Sequence, residues 1–401
     1  MTTAALPASG KSRLAVLLDH LATIEDPRDV RRISHPLAEV LLLVVCATLA
    51  DCDDYDHIAA WGEAHLGFLR RHLPYEHGVP GGRWLTILMN RVNPALFSAA
   101  FSAWVREAWP GRPDVVAIDG KTSRRSHDRG ADAGPIHLVS AFATTRRLVL
   151  GQEAVPAKAN ELAAIPALLA RLAEGDGLKG ALVSVDAIAT NAAIAQAIRN
   201  AGADYLLAVK ANQPTLRGEV EAEAAFAAAP PAALRTDTAV DKGHGRIERR
   251  TVSLLREVGW LRGGERRFPG EFRLPGPACL IRVEASSERG TGKAPGKAPG
   301  KAHAETRYYI SSASLSAAGA AQAVRGHWGI ENRLHWVLDV VFGDDQSRLR
   351  KGHGARNMAV VRHFALNLVR SANDSRSIKL RRKLAGWNPE YLNALLNLPA
   401  R

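Results

Sequence analysis

Val115-Val116-Ala117-Ile118-Asp119-Gly120-Lys121 is a short β-branched run that stops on an acid, and Ala181-Leu182-Val183-Ser184-Val185-Asp186 repeats the pattern further along. Apolar runs of this length, bounded by glycine and polar residues, read as buried strands. Between them lie two more strand-like runs, 136–144 and 147–155, with a turn at Thr145-Arg146, and an apolar helical pattern over 161–173. After them come a helix over 191–200 and a strand over 205–209. The order strand, strand, strand, helix, strand, helix, strand predicts an α/β fold. Adjacent hairpin strands and helical crossovers make its sheet mixed. Asp119 and Asp186 are expected at the ends of the first and fourth strands, where open α/β sheets place their ligands.

Outward from this core the pattern changes on both sides. Before it, 14–21, 36–50, 57–72, 84–92 and 95–109 carry apolar residues at helical spacing, which predicts an all-helical N-terminal domain over 1–110 with a DNA-binding role. The core's first part spans 111–212. Residues 213–305 read as a β-rich insertion, with an Ala-rich helix near 219–229, a break at Pro230-Pro231, and strand-like runs at 247–256 and 278–285; a further run at 307–311 follows. Its repeated Gly292-Lys293-Ala294-Pro295 tract cannot build a core and reads as a solvated linker. Helical spacing returns over 324–341 and 355–370, so 306–371 is expected to complete the core, leaving a basic tail at 372–401.

The 401 residues are 46% hydrophobic and 23% charged, which excludes a disordered chain. Three cysteines without metal-ligand spacing exclude a disulfide framework or a structural zinc site and suit a reducing cytoplasm. The apolar stretch 37–50 is too short to span a bilayer and contains Glu39, so no membrane partner is expected. The net charge of +13 favours a polyanion. Between Gln346 and Gly386 eleven Lys or Arg residues face one acid, Asp374, which localises that charge.

Glu331, inside a predicted helix, can join the two strand-end acids. Hard oxygen ligands suit Mg2+ or Mn2+, and two such ions about 4 Å apart can activate an attacking oxygen and stabilise a leaving one across phosphorus. The implied chemistry is phosphodiester transfer on double-stranded DNA. For each acid alone, capping the next turn is an equally ordinary role, and only the constellation argues otherwise. Asn191 reads as a helix cap. Asp339, Asp344 and Asp345 could supply a different third ligand, but read rather as caps of the following loop. His327, Glu331 and His335 recur every four residues and should share a helix face. As a zinc site that face has its histidines two turns apart instead of one. Trp328 or Trp336 should pack in the core. Candidate DNA contacts are Lys121, Arg124 and Arg125 after Asp119, Lys210, then Arg325, His327, Arg333 and His335 around Glu331, and Arg348, Arg350 and Lys351 beyond it.

These residues resemble the DDE transposases of bacterial insertion sequences, in particular the H-repeat-associated type. The likeness runs in order through Asp26-Pro27-Arg28, His35-Pro36-Leu37-Ala38-Glu39, Val116-Ala117-Ile118-Asp119-Gly120-Lys121, Lys158-Ala159-Asn160-Glu161, Asp204 to Gln213, His244-Gly245-Arg246-Ile247-Glu248, and His327-Trp328-Gly329-Ile330-Glu331-Asn332 through Val340. The resemblance implies an RNase H-like mixed-sheet catalytic core with a β-rich insertion. It also implies Asp119, Asp186 and Glu331 as catalytic and metal-holding residues, and a homodimer bridging two DNA ends, in the cytoplasm and at the nucleoid. Many related transposases carry Tyr, Arg and Lys around the Glu, where this chain has Val324, His327 and Leu338, so those end contacts do not carry over. Two other readings stand beside it: an RNase H-like DNA nuclease without strand transfer, against which the helical N-terminal domain, the insertion and the basic C-terminal region argue, and an inactive domesticated DNA-binding protein, against which the three intact acids argue.

Overall fold

The computed structural model describes residues 10–127, 134–155, 161–209, 222–243, 246–256, 258–259, 273–289 and 303–400. Its strands in chain order are β1 (Val115–Thr122), β2 (His137–Ala143), β3 (Leu148–Val155), β4 (Leu182–Val185), β5 (Asp204–Val209), β6 (Arg235–Gly243), β7 (Arg246–Leu255), β8 (Cys279–Arg289) and β9 (His303–Ser311). The chain forms two compact units. One comprises Pro113–Asp119 and Leu178–Gly329, the other Met1–Arg112, Gly120–Gly177 and Ile330–Arg401, so β1 begins in the first and finishes in the second.

In the unit that holds Asp119, the strand order is β1-β4-β5-β9-β8-β7-β6. β1, β4 and β5 are parallel. β5, β9, β8, β7 and β6 follow antiparallel. The parallel strands are buried almost throughout, as strands covered on both faces must be. Leu182, Leu206, Val252, Leu254, Ile281 and Tyr309 pack with Ala320, Ala323 and Val324 of the helix Ala317–Ile330, which covers one face of this sheet.

In the other unit, the end of β1 is followed by β2 and then β3. β2 and β3 form an antiparallel hairpin whose register shifts at Ala141/Phe142. Its turn needs a left-handed residue, and Arg147 takes it at φ 58°. Helices Pro94–Ala108, Glu161–Ala173 and Gly354–Arg370 pack on β3. Asn367, from the last of these, gives both amide atoms to Val149, accepting its N–H and donating to its carbonyl, each at 2.9 Å. A side chain thereby satisfies strand-edge groups that would otherwise be open to pairing. Helix Leu37–Leu49 is apolar and buried nearly all round, the signature of a central helix.

The mixed α/β, RNase H-like arrangement expected from the sequence is present, with a helical N-terminal region. Three local expectations change. β1 runs three residues past Asp119, to Thr122, and Ser123 N–H continues the pairing to Ile136 O at 3.0 Å, so Asp119 lies within the strand. β6 was invisible because Arg235–Gly243 is a polar, exposed edge strand with little apolar alternation. Residues 372–401, read as a basic tail, carry the helices Ile378–Trp387 and Pro389–Leu396, capped by Ser377 and Asn388. The Gly/Pro/Lys tract and His244-Gly245 lie outside the described residues.

Candidate active site

Asp119 and Asp186 are neighbours by register. Ile118 pairs with Val185 across parallel strands, so the residue after each is an acid, Asp119 still within β1 and Asp186 just past the end of β4. Paired positions on parallel strands send their side chains to the same face. Both acids are half-buried. Asp186 is extended (φ −69°, ψ 164°) and precedes the short turn Ala187–Ala189 without capping it. The chain is then pinned by Thr190 Oγ1, which donates to Ala208 O at 2.7 Å. Asn191 caps the helix Ala192–Asn200 by accepting Ile194 N–H at 2.9 Å, as expected.

Glu331 opens a π-helical turn, Glu331–His335, between the α-helices Ala317–Ile330 and Trp336–Val341. The Trp336 N–H reaches back to Glu331 O. Single π turns inside α-helices occur frequently at functional sites. The Glu331 side chain is 60% exposed, with Oε2 3.5 Å from His335 Nδ1. His335 is buried, and burial lowers its pKa despite the opposing carboxylate. His327 is also buried, its Nδ1 3.0 Å from Ser184 Oγ. Of the His327, Glu331, His335 face expected from helical spacing, Glu331 and His335 meet across the π turn, and only Glu331 is exposed, both histidines being buried. Trp328 and Trp336 are 40% and 55% exposed, so neither fills the core. Trp328 lies under the Arg307 guanidinium, 4.1 Å from the ring centre.

Lys121 is buried, and its Nζ lies 2.7 Å from Asp344 Oδ2, 2.7 Å from Asp339 Oδ1 and 3.5 Å from Asp345 Oδ1. The Asp344 contact is an aligned hydrogen bond, whereas Asp339 Oδ1 is held by charge alone. Arg362, also buried, pairs with the other oxygen of Asp344. Burial alone would lower the Lys121 pKa, but Asp344 and Asp339 outweigh it and raise it. Burial would likewise raise Asp344, yet Arg362 and Lys121 hold it below the usual carboxylate range. These three acids lie close enough together to hold an ion, and the ammonium already plays that part. Their carboxylates thus meet a cation of the protein's own instead of solvating the following loop.

The remaining candidates separate by exposure. Arg124, Arg125, Arg333, Arg348, Arg350 and Lys351 are exposed. Arg350 Nε donates to Arg125 O at 3.1 Å, so two of these basic stretches lie side by side. Arg325 is half-exposed and 3.4 Å from Asp241. Lys210 lies outside the described residues. Lys121, His327 and His335 are buried and engaged within the protein, not presented as DNA contacts. The sequence pattern Asp339…Asp344-Asp345 was the one signal of the Lys121 cluster, but it could not say which cation the acids would meet.

Asp119 and Asp186, half-buried neighbours by register, offer hard carboxylate oxygens of the kind that suits a divalent ion. The Transposase DDE domain family model matches residues 110–368, and the DDE_Tnp_1-associated model matches 18–105. The chain is 34% identical over 386 residues to the H repeat-associated putative transposase YhhI of Escherichia coli (strain K12), covering 96% of this chain and 98% of that one. It is likewise 34% identical to the putative protein YbfL of the same strain, with the same coverage. A putative transposase, YncI, of Escherichia coli O157:H7 is 33% identical over 95% of this chain and 94% of its own length.

Proposed function

This chain belongs to the DDE transposase family, of the H-repeat-associated type, and from that premise we propose that it hydrolyses a phosphodiester at each end of its insertion sequence and joins the freed 3′-hydroxyl to target DNA. Family membership makes it a DNA transposase that depends on divalent metal. The finer reading assigns Asp119, Asp186 and Glu331 as catalytic residues holding two Mg2+ or Mn2+ ions. When bound, such ions supply Lewis acidity to phosphate oxygens and a deprotonated attacking oxygen at neutral pH. Asp119 and Asp186, fixed on paired strands, would hold their carboxylates in place before substrate arrives. Glu331, on an exposed turn beside a buried imidazole, would complete the set.

The observation that carries this reading is the β1–β4 register, which makes two half-buried acids lateral neighbours on rigid strands. Arg124, Arg125, Arg333, Arg348, Arg350 and Lys351 are proposed to contact the DNA backbone, and a homodimer to bridge two ends. The test incubates the protein with Mg2+, a labelled element end and a plasmid target, beside Asp119→Ala, Asp186→Ala and Glu331→Ala. Joined products lost in all three variants support the reading. Cleavage without joining would make the protein a nuclease, and unimpaired joining by Glu331→Ala would remove Glu331 from the triad.

A further inference from the structure

The motif Lys158-Ala159-Asn160-Glu161 ends on an acid that no role above uses. Glu161 opens the helix Glu161–Ala173 and is 6% exposed. Its Oε2 lies 3.3 Å from Nε2 of His137, a residue of β2 that is 2% exposed. The other ring nitrogen, Nδ1, is 2.9 Å from Thr122 Oγ1 on β1, whereas Nε2 has no aligned hydrogen bond. A buried carboxylate and imidazole in imperfect register are costly to maintain, and such groups call for an explanation.

Both press on one backbone position. A Cβ at Gly120 would lie 2.1 Å from His137 Nε2 and 2.6 Å from Glu161 Oε1, so any side chain there must displace this pair. Side chains alternate along a strand, so Gly120 and Thr122 face this pair while Asp119 and Lys121 face the other way. Lys121 is gripped on its own face by the Asp339, Asp344 and Asp345 carboxylates. β1 is thus held from both sides in the residues that directly follow Asp119.

We propose that Glu161 and His137 are positioning residues of the metal centre, acting through the Gly120 backbone to fix the Asp119 carboxylate. The inference rests on Asp119 being a metal ligand. Partners that orient a ligand in this way typically change metal affinity by about 10- to 100-fold when removed. The role also gives a reason for glycine after Asp119, since a side chain there would push the pair away.

The test measures Mn2+ binding to the full-length protein by electron paramagnetic resonance of the free ion, for the parent, Glu161→Leu, Glu161→Gln, Gly120→Ala and Asp119→Ala. Thermal melts report folding in parallel. Glu161→Leu and Gly120→Ala are expected to weaken binding about 10-fold or more. Glu161→Gln, which keeps an oxygen toward His137, should retain most of it. A variant that combines Glu161→Leu with Gly120→Ala should bind no more weakly than the worse of the two alone, since both disturb one contact. In cleavage assays the Mg2+ needed for half-maximal rate should rise while the rate at saturating Mg2+ recovers. Folded Glu161→Leu and Gly120→Ala variants that bind Mn2+ as the parent does would overturn the proposal; if Glu161→Leu does not fold, Gly120→Ala decides it alone. Full Mn2+ binding by Asp119→Ala would instead sink the reading of Asp119 as a ligand, a separate failure.

Discussion

Arg348, Arg350 and Lys351, and further along the same basic stretch Arg362, Arg381 and Arg382, are one kind of residue with opposite fates. The first three are exposed. The second three are 3%, 8% and 0% exposed and close internal ion pairs. Arg382 Nη2 meets Asp53 Oδ1 at 2.6 Å and Thr48 O at 2.9 Å, Nη1 meets Asp51 Oδ1 at 3.1 Å, and the guanidinium lies 4.0 Å over the Phe342 ring. The planar, always-charged fork of arginine suits such a site as lysine would not. A cluster of cations in sequence thus measures neither surface charge nor DNA affinity until burial divides it.

The largest effect that can break this division is at Arg382. Arg382→Leu would strand Asp51 and Asp53 and the carbonyls of Thr48 and Val341, costing about 3–5 kcal/mol as other broken buried pairs do. Urea denaturation measures it, and a change below about 0.5 kcal/mol, the range of ordinary surface substitutions, would place Arg382 with the exposed set. Lys121→Met should be next, at about 3 kcal/mol, because Arg362 still neutralises part of the acid cluster. Adding Asp344→Asn should recover part of that loss. A double variant less stable than Lys121→Met would show that the ammonium is not what the acids are for.

The sheet was legible because its central strands are continuous apolar runs. The acids that follow Ile118 and Val185 were legible because they interrupt those runs. The Glu331 turn was legible only by motif, since α-helical spacing gave no sign of the π turn that Glu331 opens. The Lys121 cluster and the burial of Arg382 were not legible, because Lys121 meets Asp344 223 residues away and Arg382 meets Thr48 334 residues away in the chain. Gly120 could be read as a close approach, but the approach is to His137 and Glu161, from strand and helix respectively.

His363, beside Arg362 on the helix Gly354–Arg370, sharpens the buried side of the comparison. Burial lowers its pKa to about 3, against an ordinary value of 6.5. The unfolded chain therefore takes up a proton between these values that the folded one refuses, so stability is full above about pH 6.5 and falls as pH drops toward 3. The slope from this one group is at most about 1.4 kcal/mol per pH unit. His363→Phe should flatten that acid limb in melts taken from pH 7 to 4. An unchanged slope would mean that the imidazole is already charged in the fold.

The smallest effect on stability, and the one that decides what the exposed cations do, comes from Arg348→Gln, Arg350→Gln and Lys351→Gln. Exposed and outside buried ion pairs, each should leave stability within about 0.5 kcal/mol of the parent. If they meet DNA phosphate, each removes one displaced counterion, so the slope of log affinity against log salt should become shallower by about 1 per substitution. That loss should be equal on element-end and unrelated duplexes, since phosphate contacts carry no sequence information directly. Arg350 adds a control of its own, because its Nε is bonded to Arg125 O and its removal frees that loop as well. A salt slope unchanged in all three variants would assign the surface of this segment, like its interior, to the fold.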